Sequence, residues 1–255
     1  GARGIRFTSR ARLDLDDEAT QLRAKTLAWL NQELELIEAW TTVGNRPTLV
    51  DNQDNNGVRF TALTTDRAHL IIPLQVQAAA QFVIGSSGNG PLSFVIPTAL
   101  ASSEAYQLTA SGLQPLRRGR VVGGTRVHID RLDWHQLILT TEDPAVVRHV
   151  SQKLRRTAMR TAQLEFELAE LNWQSIEQHL PDGQVLPLEL TGLRKVLNVC
   201  RQTLAAGDYD SAYQLAIRVH RATDQWKHNQ WTEVSKSLTT PVSHPCCMHH
   251  TSIIG

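Results

Sequence analysis

The chain changes its hydrophobic period once, at Asp143-Pro144. From about Val58 to that point, apolar residues alternate over short runs, as in half-buried strands. Beyond it, for about ninety residues, they recur every three to four positions, as on amphipathic helices. Two such patterns bury their apolar sides in different ways, so the switch predicts two cores, one β and one α.

In the β stretch, Val58, Phe60 and Ala62 alternate with Arg59 and Thr61. His69–Leu74 is an apolar run broken by Pro73, which predicts a strand near a sheet edge. Further strands are expected at Gln81–Ile84, Leu92–Ile96, Ala105–Thr109, Leu113–Leu116 and Gln136–Thr140, with the loop from Gly85 to Pro91 between the first two. Within Arg120–Ile129, the Gly123-Gly124 pair supplies the positive φ angles that a two-residue hairpin turn needs. About eight strands at regular spacing predict an antiparallel β-sandwich. The polar run Asp51–Gly57 reads as a linker in front of it.

Asp143 as cap and Pro144 at the first helical position predict a helix start. Val147, Val150, Leu154, Leu164, Leu168, Leu171 and Ile176 carry its stripe to about His179, and Pro181-Asp-Gly stops it. A third helix carries Leu193, Leu197, Cys200 and Leu204 and ends at Gly207. A fourth carries Ala212, Leu215, Ala216, Val219 and Ala222. Ala206–Ala216 resembles the opening of the second helix of a tetratricopeptide repeat, but a single unit makes no solenoid. Tyr209, Ala212 and Ala216 therefore read as helix contacts. Short connections predict an antiparallel α-helical bundle. Upstream of the linker, Gly4–Thr8 reads as a strand and Glu18–Trp40 as a helix with Leu27, Leu30, Leu34 and Ile37 on one face, preceded by the capping candidates Asp16 and Asp17.

Composition narrows the function classes. The formal net charge is +1 with 20% charged residues, so no basic field draws nucleic acid. The local clusters Arg117, Arg118, Arg120 and Lys153, Arg155, Arg156, Arg160 read as a loop and a solvated helix face. No apolar run reaches membrane-spanning length. Cys200, Cys246 and Cys247 make no disulfide framework.

Candidate chemistry is sparse. The tail His244-Pro-Cys-Cys-Met-His-His offers His244, Cys246, Cys247 and His249 as metal ligands. Adjacent cysteines suit zinc poorly and copper better, on ligand softness. The competing reading is the start of a further domain. His128 and Asp130 would share one strand face beside Trp134, with Asp133 and His135 near, a group able to hold a sugar against the indole or a cation. The competing reading is a polar turn. Asp14, Asp16, Asp17 and Glu18 are close in sequence, but general acid/base work needs carboxylates held apart across a substrate, so capping fits better. The glycine runs lack the spacing of phosphate loops, and no Ser elbow occurs, so no cofactor is expected.

Several segments together resemble a family: residues 3–7 (Arg-Gly-Ile-Arg-Phe), 13–17, 30–40, 63–70, 120–127, 137–144 and 207–213. They are similar to the C-terminal region of large, secreted, glycosidase-like bacterial proteins of planctomycete type, over most of the chain. Where those proteins tend to have Glu-Pro-Trp, this chain has Glu38-Ala39-Trp40. From Cys246 onward it departs from the pattern. The resemblance implies that residues 1–50 are a strand-helix segment ending a barrel-like domain. Residues 51–142 would then be an accessory β-sandwich, 143–236 a helical bundle and 237–255 an irregular tail. The implied catalytic carboxylates lie upstream, and none is carried onto this chain.

The expectation is thus a non-catalytic structural portion of a multidomain protein, outside the cell or in the periplasm on the resemblance alone. Its partners would be the other domains of the same polypeptide, with glycan as a further ligand and neither nucleic acid nor membrane. The alternatives are a carbohydrate-binding module using Trp134, helped by Trp40, or a protein-interaction module using the helices.

Overall fold

A computed structural model describes residues 12–45, 48–52, 58–75, 91–97, 102–130, 136–180 and 188–235. They form a mixed α+β protein with four α-helices and nine strands, all of whose pairings are antiparallel. In chain order these are α1 (Glu18–Val43), β1 (Thr48–Asn52), β2 (Val58–Thr64), β3 (Ala68–Gln75), β4 (Leu92–Ile96), β5 (Glu104–Leu108), β6 (Leu113–Pro115), β7 (Arg117–Val121), β8 (Gly124–Ile129), β9 (Ile138–Thr141), α2 (Pro144–His179), α3 (Leu193–Ala205) and α4 (Tyr209–Ser235). The strands expected at Gly4–Thr8 and Gln81–Ile84, residues 53–57 of the expected linker, the loop 85–90 and the stop at 181–183 lie outside the described residues. The described residues divide into two compact units. One holds 33–75 and 91–157, and the other 12–32 and 158–235, so α1 and α2 each contribute to both.

In the β unit the strand order is β6-β5-β9-β3-β2-β1-β4-β8-β7. The two end strands belong to one extended run, interrupted only at Leu116. β6 pairs with β5 and β7 with β8, while the Leu116 N–H donates to the Ala105 carbonyl at 2.8 Å. The ladder therefore returns on itself through residues 113–121, and Arg118 on β7 pairs with Glu104 on β5. Alternation explains the interior: Val58, Phe60 and Ala62, Leu92, Phe94 and Ile96, and Val127 and Ile129 point into one apolar core with Ile71 and Ile138. The Phe60 and Phe94 rings stack there with centroids 4.3 Å apart. Each buried Val, Leu, Ile or Phe side chain here contributes about 1.5–3 kcal/mol.

The opposite face of β3 and β9 is covered as well. Leu70, Leu137 and Leu139 pack with Trp40 of α1 and with Val150 and Leu154 of α2. All four residues of β9 are buried as a result, so Ile138–Thr141 is a continuous run rather than an alternating one. β3 lies between β2 and β9, which corrects the edge placement drawn from Pro73. Of β3, only Ala68–Ile71 pairs with β9, and Pro73 falls in the part of β3 bonded to β2 alone. The strand near its end tolerates a residue without an N–H.

The β7–β8 turn also shifts by one residue. Val121 pairs with Gly124, leaving Val122 and Gly123 at the tip. Gly123 has φ 93° and supplies the positive angle. Gly124 (φ 154°) is needed for a second reason: a Cβ there would lie 2.1 Å from the Ile96 carbonyl oxygen. The cluster Arg117, Arg118 and Arg120, expected in a loop, lies on β7.

The helical unit holds residues 18–32 of α1, 158–179 of α2, and α3 and α4. Aspartates cap three helix starts as the pattern predicts. Asp17 Oδ1 accepts from the Thr20 N–H (2.9 Å), Asp143 Oδ1 from the Ala145 N–H (2.8 Å) and Asp208 Oδ1 from the Ser211 N–H (3.1 Å). Gly207, at φ 82°, ends α3 while its own N–H donates to the Leu204 carbonyl. Ala162, Ala169, Ala212 and Ala216 are fully buried, small enough to let helices approach closely. Lys25 with Glu167 (2.5 Å) and Arg194 with Glu177 (2.6 Å) tie α1 and α3 to α2, and Lys227 reaches Asn172 at 3.0 Å from α4.

Candidate functional site

Two places in the described residues concentrate polar chemistry against an apolar background. The first is a cavity of about 500 Å³ in the β unit. The last turns of α1 supply Leu36, Ala39, Trp40 and Val43. The β2–β3 turn supplies Thr65–Ala68, and the first turns of α2 supply Ala145, Val146, His149, Val150 and Lys153. The Trp40 side of α1 faces the sheet because Leu36, Ile37 and Trp40 recur at helical spacing over Leu70 and Leu139. Trp40 is 6% exposed, and its Nε1–H meets no acceptor among the described residues. Arg67 pairs with Asp143 at 3.4 Å, and the Lys153 ammonium donates to the Glu35 carbonyl. Thr65 Oγ1 donates to the Ala68 carbonyl at 3.2 Å, closing the turn.

The second is a charged pair in the core of the helical unit. Glu165 on α2 is 1% exposed, and its Oε1 lies 2.5 Å from His220 Nδ1 on α4, whose side chain is 16% exposed. Burial of the imidazole disfavours its charge. The charge and hydrogen bond of Glu165, aided by Asp224 and opposed by Lys227, outweigh that and raise the His220 pKa above its ordinary value. Cys200 on α3 donates to the Ala212 carbonyl at 3.1 Å. Burial pushes its thiol up to about 11, with the Glu165 and Glu170 charges adding to the shift against Arg201. A thiol held so far above neutral pH carries little thiolate and is a poor nucleophile. Thiol, imidazole and carboxylate types thus share this core in a chemically quiet form.

The residues singled out from sequence fall elsewhere. His128 and Asp130 are both exposed, at and just beyond the end of β8. In register His128 lies beside Ser93 of β4 and Arg117 of β7. Trp134, Asp133 and His135 lie outside the described residues, as do His244, Cys246, Cys247 and His249. Among the described residues no group of three or more His, Cys, Asp or Glu could hold a metal ion. Trp40 is too deeply packed to offer an open stacking face. Asp14 pairs with Arg12 at 2.9 Å while Asp17 caps α1, so these carboxylates act at the helix start and are not held across a cleft. Their pKa values are lowered, by the Arg12 hydrogen bond for Asp14 and by the Thr20 hydrogen bonds for Asp17. Lys153, expected on a solvated face, is half-buried in the cavity wall. No helix among the described residues is long and apolar enough to cross a membrane.

Glu165 and His220 carry a signal in the sequence. Ala158, Ala162, Glu165, Ala169 and Ile176 form one helical stripe, as do Ala212, Ala216, His220 and Thr223. A charged residue inside a buried stripe needs a partner, and each stripe holds one.

Compared with protein-family models, curated proteins and solved structures, the chain matches none.

Proposed function

We propose that this chain is a non-catalytic structural portion of a larger glycosidase-like protein, with an accessory β-sandwich and a helical bundle as its working parts. The observation that carries the reading is the pairing of Glu165 with His220 inside the helical core. The buried Glu165 carboxylate and the His220 imidazole face each other across a helix–helix contact, where they hold α2 to α4. The Cys200 thiol beside them, at about 11, is held in its neutral form.

In this reading the sandwich has two sheets that share strands at both corners. β1 pairs with β2 through Thr48–Val50 and with β4 through Asp51 and Asn52, and residues 113–121 bridge the other corner. Corner strands that pass from one sheet to the other are a known way of closing a sandwich. The helical bundle has α3 and α4 as an antiparallel pair packed along α2. On the family resemblance, the whole protein would lie outside the cell or in the periplasm, with its own other domains as partners.

The test is turnover. The chain is incubated with a panel of aryl glycosides and polysaccharides, and product release is expected at the level of the blank. Release that disappears on substituting one of its carboxylates would overturn the reading.

A second reading is favoured by one observation: His128 and Asp130 are both exposed at the end of β8, leading toward Trp134. A carbohydrate-binding module would use them beneath a sugar stacked on that indole. It requires glycan-array binding that vanishes in Trp134→Ala with the circular dichroism unchanged. Equal binding by both proteins removes it.

A further inference from the structure

We propose that the outward face of β4, β8 and β7 binds an acidic polysaccharide, whose carboxylates are held by the Arg117 and Arg126 guanidinium groups beside the His128 imidazole. This binding rests on the carbohydrate-binding reading above and deepens it by giving the ligand its charge.

Alternation sets the face. Thr125, Val127 and Ile129 of β8 are buried, so Arg126 and His128 between them lie on the outward side. In register His128 stands between Arg117 of β7 and Ser93 of β4, and Arg126 stands between Gly119 and Val95. Residues directly opposite on a ladder share a face, so Arg117 joins His128 there. Arg126 lies on the diagonal from Arg117, within reach of a long side chain. Arg117 and His128 are exposed and Arg126 is half-buried. A Cβ built at Gly119 would meet nothing within 4 Å, so the place beside Arg126 is open.

Charge selects the ligand. β4, β7 and β8 together hold four arginines and one histidine, and no Asp or Glu. Arg118 is neutralised by Glu104, whereas Arg117 and Arg126 have no ion-pair partner among the described residues. Like charges so close on a sheet repel, and a bound anion relieves that repulsion. The planar guanidinium fork matches the two oxygens of a carboxylate. Asp51 of β1, in register with Val95, and Asp130, just beyond β8, border the cationic positions. With these borders and a net charge of +1 on the whole chain, spaced carboxylates suit the face better than the dense phosphates of nucleic acid. The backbone of β8 is already paired on both sides, by β4 and β7. A ligand held through its own substituents, as a polysaccharide is, therefore fits better than a peptide strand held through its main chain.

The experiment uses the whole chain with polygalacturonate as probe, and with its methyl ester and polyglutamate as matched controls. Affinity electrophoresis measures binding, and circular dichroism checks the fold of each variant. Polygalacturonate should retard the wild-type chain saturably, with both controls at least about tenfold weaker. Arg117→Gln, exposed on β7 and outside the apolar cores, should fold normally and weaken polygalacturonate at least about tenfold. Arg126→Gln should weaken it as well. Arg155→Gln, exposed on α2, should bind as wild type does. Equal affinity for the methyl ester would overturn the acidic ligand and leave the carbohydrate-binding reading in place. Equal affinity for polyglutamate would overturn the polysaccharide in favour of an acidic peptide. Wild-type affinity in Arg117→Gln, or an equal loss in Arg155→Gln, would overturn the face. Polygalacturonate binding that survives Trp134→Ala would support the face and remove the stacking role of Trp134. No saturable binding of either polysaccharide up to about 10 mM sugar units would overturn both.

Discussion

The β unit and the helical unit solve the same problem with different materials. The main core of the β unit, from Val50 and Val58 to Ile138, is a cluster of apolar side chains. The buried polar residues beside it are uncharged ones such as Thr125, Gln136 and Thr140, and the ion pairs Arg118–Glu104 and Arg67–Asp143 lie at the surface. The helical unit buries a carboxylate and an imidazole among alanines and leucines. An apolar core is indifferent to pH and unforgiving of lost volume. A core holding an ion pair is sensitive to both.

The largest effect should come from the apolar side of that contrast. Phe60 is fully buried and stacked on Phe94. Phe60→Ala should cost about 3–5 kcal/mol, at the same size at pH 5.5 and at pH 8, in denaturant unfolding. A pH-dependent cost would mean that the β core hides a charge of its own.

Next comes the ion pair. Removing one partner of a buried pair costs about 3 kcal/mol or more, so Glu165→Gln should destabilise the helical unit strongly. The pH response gives the sharper distinction. His220 has a folded pKa raised above 6.5, so its contribution is complete below 6.5 and is lost as pH rises through the folded value. His69 on β3, its Nδ1 3.0 Å from Thr64 Oγ1, has its pKa lowered by burial. Its contribution is complete above 6.5 and is lost as pH falls through its folded value. Between acid and mildly alkaline pH the two units should therefore change protection in opposite directions. Amide exchange at Ala216 and Val219, set against Leu70 and Ile71, reads this directly. Parallel changes in both sets would break the comparison, and Glu165→Gln should flatten the response at Ala216.

A smaller, purely geometric effect belongs to Gly124, whose added Cβ would meet the Ile96 carbonyl. Gly124→Ala should cost more than about 1 kcal/mol, whereas Gly112→Ala, with open space around its Cα, should cost less. Equal costs would mean that the β4–β8 pairing yields more easily than a packed sheet should.

The same contrast explains what sequence reasoning could reach. Leu92–Ile96 and Pro144–His179 are local patterns, and the structure has them at the expected residues. β1 escaped because Thr48–Asn52 is short and its last two residues open a polar run that reads as a linker. Pro73 pointed to an edge because pairing partners are set by distant residues, here β9 from Ile138 onward. The cavity joins residues more than a hundred positions apart, such as Trp40 and Lys153, and no local period records that. Glu165 and His220 were within reach, since each interrupts a buried stripe. Their pairing was not, because period alone does not say which two stripes face each other.

The smallest effect tests the point where the chain turns from strand to helix. Asp143 Oδ1 accepts the Ala145 N–H, and its Oδ2 faces Arg67 at 3.4 Å. The cap satisfies an N–H that the helix itself cannot, whereas the ion pair is largely solvent-screened at Arg67, whose side chain is 71% exposed. Asp143→Ala should therefore cost about 1 kcal/mol in thermal unfolding, while Asp143→Asn, which keeps the accepting oxygen and loses the charge, should remain within a few tenths, roughly, of wild type. If Asn were as damaging as Ala, the charge on Arg67 and not the cap would be what starts α2. The local rule that located this helix in the sequence would then have succeeded for the wrong physical reason.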